Sequence, residues 1–296
     1  MTLRNISLPA VFSTLLVFSV LVFATALKAD EPATLVFSAI PDQDESRLKA
    51  RFSKVAGYLS ETLNVPVKYV PVKSYAAAVT GFRNNQLQLA WFGGLSGVRA
   101  RSLTPGATAI AQGEEDPSFH TYFIAHKSTG LSRSESFPKE IAGKSFAFGS
   151  KGSTSGRLMP EFYIREHLEQ TPDESFEVVG FSGNHSRTVA LVESGAYEVG
   201  AVNFKVWDKL VEENKVDTEK VSVIWKTPGY PDYQWTLRGD VDSVWGEGFG
   251  DKITDALLSM DDPELLAAFP RKKFIPAGND DYRAIEDTAK EIGLLE

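Results

Sequence analysis

The 296-residue chain has no cysteine, three methionines and four histidines. Without cysteine there is no disulfide frame, no thiolate nucleophile and no lipid-modified cysteine, so stability must come from the core alone. Four scattered histidines without cysteine also argue against a structural zinc site. No basic stripe occurs and the net charge is −8, which makes nucleic acid a poor partner. Low-complexity tracts and repeats of solenoid period are missing as well. What is there is a globular composition, 43% hydrophobic, long enough for one large domain or two moderate ones.

Behind Arg4, residues 8–23 form an uncharged apolar run, followed by Ala24-Thr25-Ala26 and Ala29. This pattern fits a cleavable secretory signal peptide over residues 1–29, cut after Ala26 or Ala29. The run is short of the roughly 20 apolar residues that a membrane span needs, and an uncleaved N-terminal anchor is the alternative. The mature chain is expected to be exported, soluble and free of a lipid anchor. Removing Arg4 and Lys28, the two charges of that segment, takes the net charge from −8 to −10. Such a protein has no general attraction for an anion, so an anionic ligand would need a local site.

From residue 34 onward strand-like and helix-like segments alternate. Residues 34–40 (TLVFSAI) read as a buried strand, and Leu48, Phe52, Val55, Leu59 and Leu63 share one helical face. Residues 65–72 read as a strand bounded by Pro66 and Pro71, residues 75–82 as a helix, and 87–92 as a strand. The same grammar returns after residue 144, and two helices are expected over 249–260 and 281–292. Alternation of this kind predicts an α/β fold with mostly parallel sheets covered by helices.

Two connections share one design, a strand followed by glycine or hydroxyl residues and then a helix. They are Trp91–Gly97, which contains Ser96, and Phe148–Gly156, which contains Ser153, Thr154, Ser155 and Gly156. Helix starts at the carboxyl ends of strands present unpaired N–H groups to an anion. The plainer reading makes the serines and threonine helix caps. Pro160 is comfortable only in a first helical turn, so the helix begins near Met159 or begins at Ser155 and bends.

Neither loop is a Walker A motif or a nucleophile elbow, and no metalloprotease, calcium-loop or dinucleotide signature occurs. No paired carboxylates demand acid–base work. His185, behind Gly183-Asn184 at an expected helix start, is either a cap or a site group.

The stretches Gln88-Leu-Ala-Trp-Phe-Gly-Gly-Leu-Ser96 and Ser153-Thr-Ser-Gly-Arg-Leu-Met-Pro160 resemble the signature loops of the phosphonate/phosphite-type solute-binding proteins of ABC transporters. Residues 38–44 (SAIPDQD) and 228–235 (PGYPDYQW) resemble the subgroup assigned to selenate transport. The resemblance implies a two-lobed periplasmic binding protein of type 2 with two hinge crossings. Lobe one would hold 30–118 and 229–296, and lobe two 119–228. It also implies a monomer that captures a small oxyanion without a cofactor and hands it to a membrane permease. By resemblance Ser153, Thr154 and Ser155 bind the oxyanion, Tyr75 and His185 face it, Asp232 opposes it with a carboxylate, and Phe92 stands where a tyrosine is common. Lys205 stands where aminophosphonate binders carry an acid; it would favour a purely anionic ligand, or it is a solvated helix residue. A phosphoester hydrolase and a ligand-presenting sensor subunit are the alternatives.

Overall fold

The computed structural model describes residues 1–2 and 33–295, so the expected signal peptide lies almost wholly outside the described residues. Among them, no helix is long and apolar enough to cross a membrane.

The chain runs β1 (Leu35–Ala39), α1 (Glu45–Leu63), β2 (Val67–Tyr69), α2 (Tyr75–Arg83), β3 (Leu89–Phe92), α3 (Gly94–Ser102) and β4 (Thr108–Gly113). It continues with β5 (Thr121–His126), β6 (Ser145–Phe148), a π-helical turn (Thr154–Leu158), α4 (Met159–Leu168), α5 (Pro172–Ser175) and β7 (Val178–Phe181). Then come α6 (His185–Glu193), β8 (Val199–Asn203), α7 (Phe204–Glu212), β9 (Val221–Lys226) and β10 (Gln234–Leu237). The last elements are α8 (Val241–Trp245), α9 (Phe249–Leu258), α10 (Pro263–Leu266), β11 (Phe274–Pro276) and α11 (Arg283–Glu291).

The periodic positions of α1 are the ones it buries: Leu48, Phe52, Val55, Leu59 and Leu63. Asn64, in the left-handed region at φ 53, ends the helix. The strand expected over 65–72 shrinks to three residues, because Pro66 and Pro71 cannot donate to a ladder.

The strands form two sheets, ordered β11-β4-β10-β3-β1-β2 and β7-β6-β8-β5-β9. Each sheet with its helices is one lobe. The sheets are mixed, which corrects the expectation of mostly parallel pairing. β10 lies antiparallel between β3 and β4, and β5 lies antiparallel between β8 and β9. Both are the first strands after the chain passes from one sheet to the other. They arrive from the opposite side and fill the slot next to a strand laid down by the usual helical crossovers.

The two passages between sheets pair with each other. Phe119 N donates to Tyr230 O at 2.8 Å and Tyr230 N to Phe119 O at 3.0 Å. Asp232 N donates to Asp116 O at 3.1 Å. Asp116 takes a bidentate bond from Arg271, with Nε at 2.9 Å and Nη2 at 2.6 Å, and both groups are buried. The guanidinium also lies over the rings of Trp91, Phe119 and Tyr233 at 5.2–5.8 Å.

Candidate functional site

The hydroxyl loop that follows β6 is shaped by its glycines and its proline. Pro160 has no N–H for the carbonyl of Gly156, four residues back. That carbonyl accepts from Gly149 N at 2.7 Å instead, and Ser155 O accepts from Thr121 Oγ1 at 2.8 Å. With those bonds diverted, the turn opens to the π-helical Thr154–Leu158, and α4 starts at Met159. Both earlier readings of this helix start were therefore partly right.

The three hydroxyls have three different jobs. Ser153 Oγ accepts from Gly156 N at 2.9 Å and caps the turn. Thr154 Oγ1 accepts from Leu95 N at 3.0 Å, a bond across the lobes. Ser155 Oγ is buried and has no partner in the protein.

The first turn of α3 departs from the expectation of free amides. Gly94 N donates to Asp232 Oδ1 at 2.8 Å, and Leu95 N is taken by Thr154. A carboxylate is a natural occupant of a helix N-terminus. Ser96 Oγ donates back to Gly93 O at 3.1 Å. Phe92 packs edge-on against Phe82 in the core at 5.6 Å between centroids. Lys205 Nζ is engaged by Glu115 Oε1 at 3.0 Å, on the first crossing segment.

Among the buried side-chain atoms of the described residues that reach no partner, four belong to expected site residues: Tyr75 Oη, Ser155 Oγ, His185 Nε2 and Asp232 Oδ2. They come from the start of α2, the π-helical turn, the start of α6 and the second crossing, and they lie around one place. The Ser155 hydroxyl is close enough to Asp232 to act on its ionisation, and the Ser153 hydroxyl does the same to Tyr75. A Cβ on Gly156 would stand 3.0 Å from both His185 Cε1 and Ser153 Oγ. Each such group left unpaired costs about 1–3 kcal/mol, so four together call for an explanation in ligand chemistry.

The electrostatics of these groups are set mainly by burial. His185 Nδ1 accepts from Asn203 N at 3.2 Å, so a neutral ring carries its proton on Nε2. Burial lowers its pKa to about 3, which keeps the ring a neutral donor. Burial raises the Asp232 carboxyl to about 7, against the opposing bonds from Thr154 and Gly94. Tyr75 is pushed well above its ordinary value by burial and then by the carboxyls of Asp42 and Asp232, so it stays an O–H donor. The arrangement offers three neutral donors and one carboxyl that gains or loses its proton near neutrality. Such a set can surround a tetrahedral oxyanion and share one proton with it.

Sequence reasoning missed the frame around the cluster. Tyr233 Oη donates to Asp42 Oδ2 at 2.9 Å and accepts from Asn203 Nδ2 at 2.9 Å. His185 N donates to Asp42 O at 3.0 Å. Burial raises Asp42 to about 6. Asp42 and Tyr233 both stand inside motifs singled out in the sequence, but an aromatic flanked by strand residues reads as core. Among the described residues no group of His, Cys, Asp and Glu could hold a metal ion.

Comparison with known proteins gives this geometry a context. Residues 37–282 match the family model described as "ABC transporter, phosphonate, periplasmic substrate-binding protein". The chain is 39% identical over 271 residues to the "Probable ABC transporter phosphite binding protein PhnD1" of Prochlorococcus marinus, covering 89% of this chain and 91% of that one. It is 24% identical to the phosphonates-binding periplasmic protein of Escherichia coli, over 87% of this chain and 74% of that one. The structure of the Prochlorococcus protein in complex with methylphosphonate superposes with a TM-score of 0.85, covering 88% of this chain and 99% of that one. The fold is thus the two-lobed α/β fold of periplasmic binding proteins, and the hydrolase alternative gives way to a binding role. The chain belongs to the family of phosphonate-type periplasmic substrate-binding proteins of ABC transporters.

Proposed function

We propose that the protein captures a small, protonatable phosphorus oxyanion, of the phosphite or methylphosphonate type, between its lobes. The reading is carried by the four buried, partnerless polar atoms, one of which belongs to a carboxyl that titrates near pH 7. His185 Nε2–H, Tyr75 O–H and Ser155 O–H would donate to the ligand oxygens, joined by the amides of Thr154 and Ser155, which have no preceding helical carbonyl to serve. Charge-assisted bonds of this kind contribute about 1.5–3 kcal/mol each and offset desolvation of the anion. Asp232 Oδ2 would accept the ligand's O–H or lend it a proton. Phosphite and phosphonate monoanions carry such a proton; sulfate and selenate at neutral pH do not, and would face a buried like charge. Lys205 would not cancel that charge, because Glu115 occupies it. The relatives above are named for phosphite and phosphonate, and nothing in them supports the selenate subgroup.

The lobes divide as 30–118 with 229–296, and 119–228. Residues 1–29 act as a cleaved signal, leaving a periplasmic monomer without a lipid anchor that delivers its ligand to an inner-membrane permease. Calorimetric titration of the mature protein with phosphite, methylphosphonate, phosphate, selenate and sulfate, at pH 6 and pH 8, tests the reading. Phosphite or methylphosphonate should bind tightest at both values. Sulfate or selenate should appear only at the acidic value, where Asp232 carries its own proton. Tight sulfate binding at pH 8 would overturn the reading.

A further inference from the structure

Gly152 lies on the hydroxyl loop of lobe two where it meets α2 of lobe one. Its φ is not in the left-handed region, so the backbone conformation does not call for glycine. The missing side chain instead permits an approach. A Cβ at this position would stand 3.1 Å from Tyr75 Cβ, with Tyr75 Cδ1 and Cγ at 3.8 and 3.9 Å. Both Cβ atoms hang directly on backbone, so no rotamer change can separate them. Tyr75 is the residue whose hydroxyl belongs to the partnerless cluster. A cavity of about 270 Å³ adjoins the same contact and is lined by Tyr75, Gly152, Val79, Arg99, Lys151 and Phe181 among others. The cluster atoms are buried, while this space opens toward solvent.

We propose that Gly152 is a specificity-determining residue: it lets lobe two close onto Tyr75 at backbone-contact distance and so confines the ligand to an oxyanion whose fourth substituent is as small as hydrogen or methyl. A longer substituent must lodge inside the closed cluster or pass between Gly152 and Tyr75 toward the adjoining cavity. Either way it holds the lobes apart. The bonds that cross them, Leu95 N to Thr154 and Asn203 Nδ2 to Tyr233, are then stretched. This inference rests on the phosphorus-oxyanion reading above.

The test is calorimetry of the mature wild type and Gly152→Ala with phosphite and with methyl-, ethyl- and propylphosphonate. Wild type should lose at least about tenfold in affinity from methyl to propyl, and the variant should bind methylphosphonate about tenfold more weakly, as expected for overpacking. Propylphosphonate binding should change little, so the methyl-to-propyl ratio narrows. A flat series in wild type overturns the proposal without any variant. So does a variant that keeps wild-type affinities, or one that weakens all four ligands equally. A wild type that binds none of the four overturns the phosphorus-oxyanion reading and this inference with it. That result is distinct from one in which methylphosphonate binds and Gly152→Ala makes no difference.

Discussion

His185 Nδ1 accepts a hydrogen bond from the backbone N–H of Asn203 at 3.2 Å. The bond fixes the tautomer and leaves Nε2–H as a donor at every pH well above 3. His185→Ala should therefore weaken phosphonate binding by about 10- to 100-fold, the range for loss of one bond to a charged acceptor. The loss should be the same at pH 6 and pH 8, because no imidazolium is involved. A titration in which wild-type binding rises as a group near pH 6.5 protonates, and His185→Ala abolishes that rise, would contradict this.

Asp232 and Asp42 should shape the stability of the ligand-free protein. Their folded pKa values, about 7 and about 6, lie above the ordinary 3.8. The folded state therefore holds more protons than the unfolded one between those limits, so stability rises as pH falls from 8 toward 5. His185 works in the opposite direction below 6.5, being neutral in the fold and protonated outside it. Raising one carboxyl to about 7 withholds up to roughly 4 kcal/mol at pH 8. Asp232→Asn should raise the melting temperature at pH 8 by several degrees and flatten its pH dependence. Thermal melts across pH 5–8 decide it.

The hydroxyl loop allows a contrast between neighbours. Ser155→Ala removes a hydroxyl with no partner in the protein; it should leave the ligand-free melt unchanged while costing about 10-fold or more in phosphonate affinity. Ser153→Ala removes the cap on Gly156 N and should cost about 1 kcal/mol of stability. Melting and calorimetry on both variants would separate the roles.

Tyr233→Phe keeps the ring and deletes a hydroxyl that ties Asp42 to Asn203 across the lobes. The hydroxyl bonds neither Ser155 nor His185, though it lies close enough to Tyr75 to act on its ionisation. Affinity for phosphonate should fall by roughly 3- to 10-fold through weaker closure, with the order of ligand preference intact. A changed order would place the hydroxyl on the ligand itself.

Arg271→Ala leaves the buried Asp116 carboxylate without its bidentate partner. A cost of about 3–5 kcal/mol is expected, seen in urea unfolding. Arg271→Ala combined with Asp116→Ala should recover part of it, since the stranded charge is then gone.

Much of the architecture was readable because its periods are strong. The heptad-like spacing of Leu48 to Leu63 announced α1, and Gly183-Asn184 before His185 announced the start of α6. The mixed pairing was not readable. Whether β5 and β10 slot in antiparallel depends on the side from which a crossing segment returns, and strand composition does not record that. Within the site, Ser155 and Ser153 look alike in the sequence. They are told apart only by whether Gly156 N lies within reach, which depends on the turn that Pro160 widens. Lys205 is a ligand group only by resemblance, at a point where aminophosphonate binders carry an acid; its ion pair with Glu115, 90 residues away in the chain, is not legible in the sequence.

The two passages between the lobes are zipped together at Phe119 and Tyr230. Two independent threads would let the halves swivel, shear and tilt separately. A paired ribbon resists torsion, so swivelling or shearing one half against the other would have to break the two backbone bonds that join Phe119 and Tyr230.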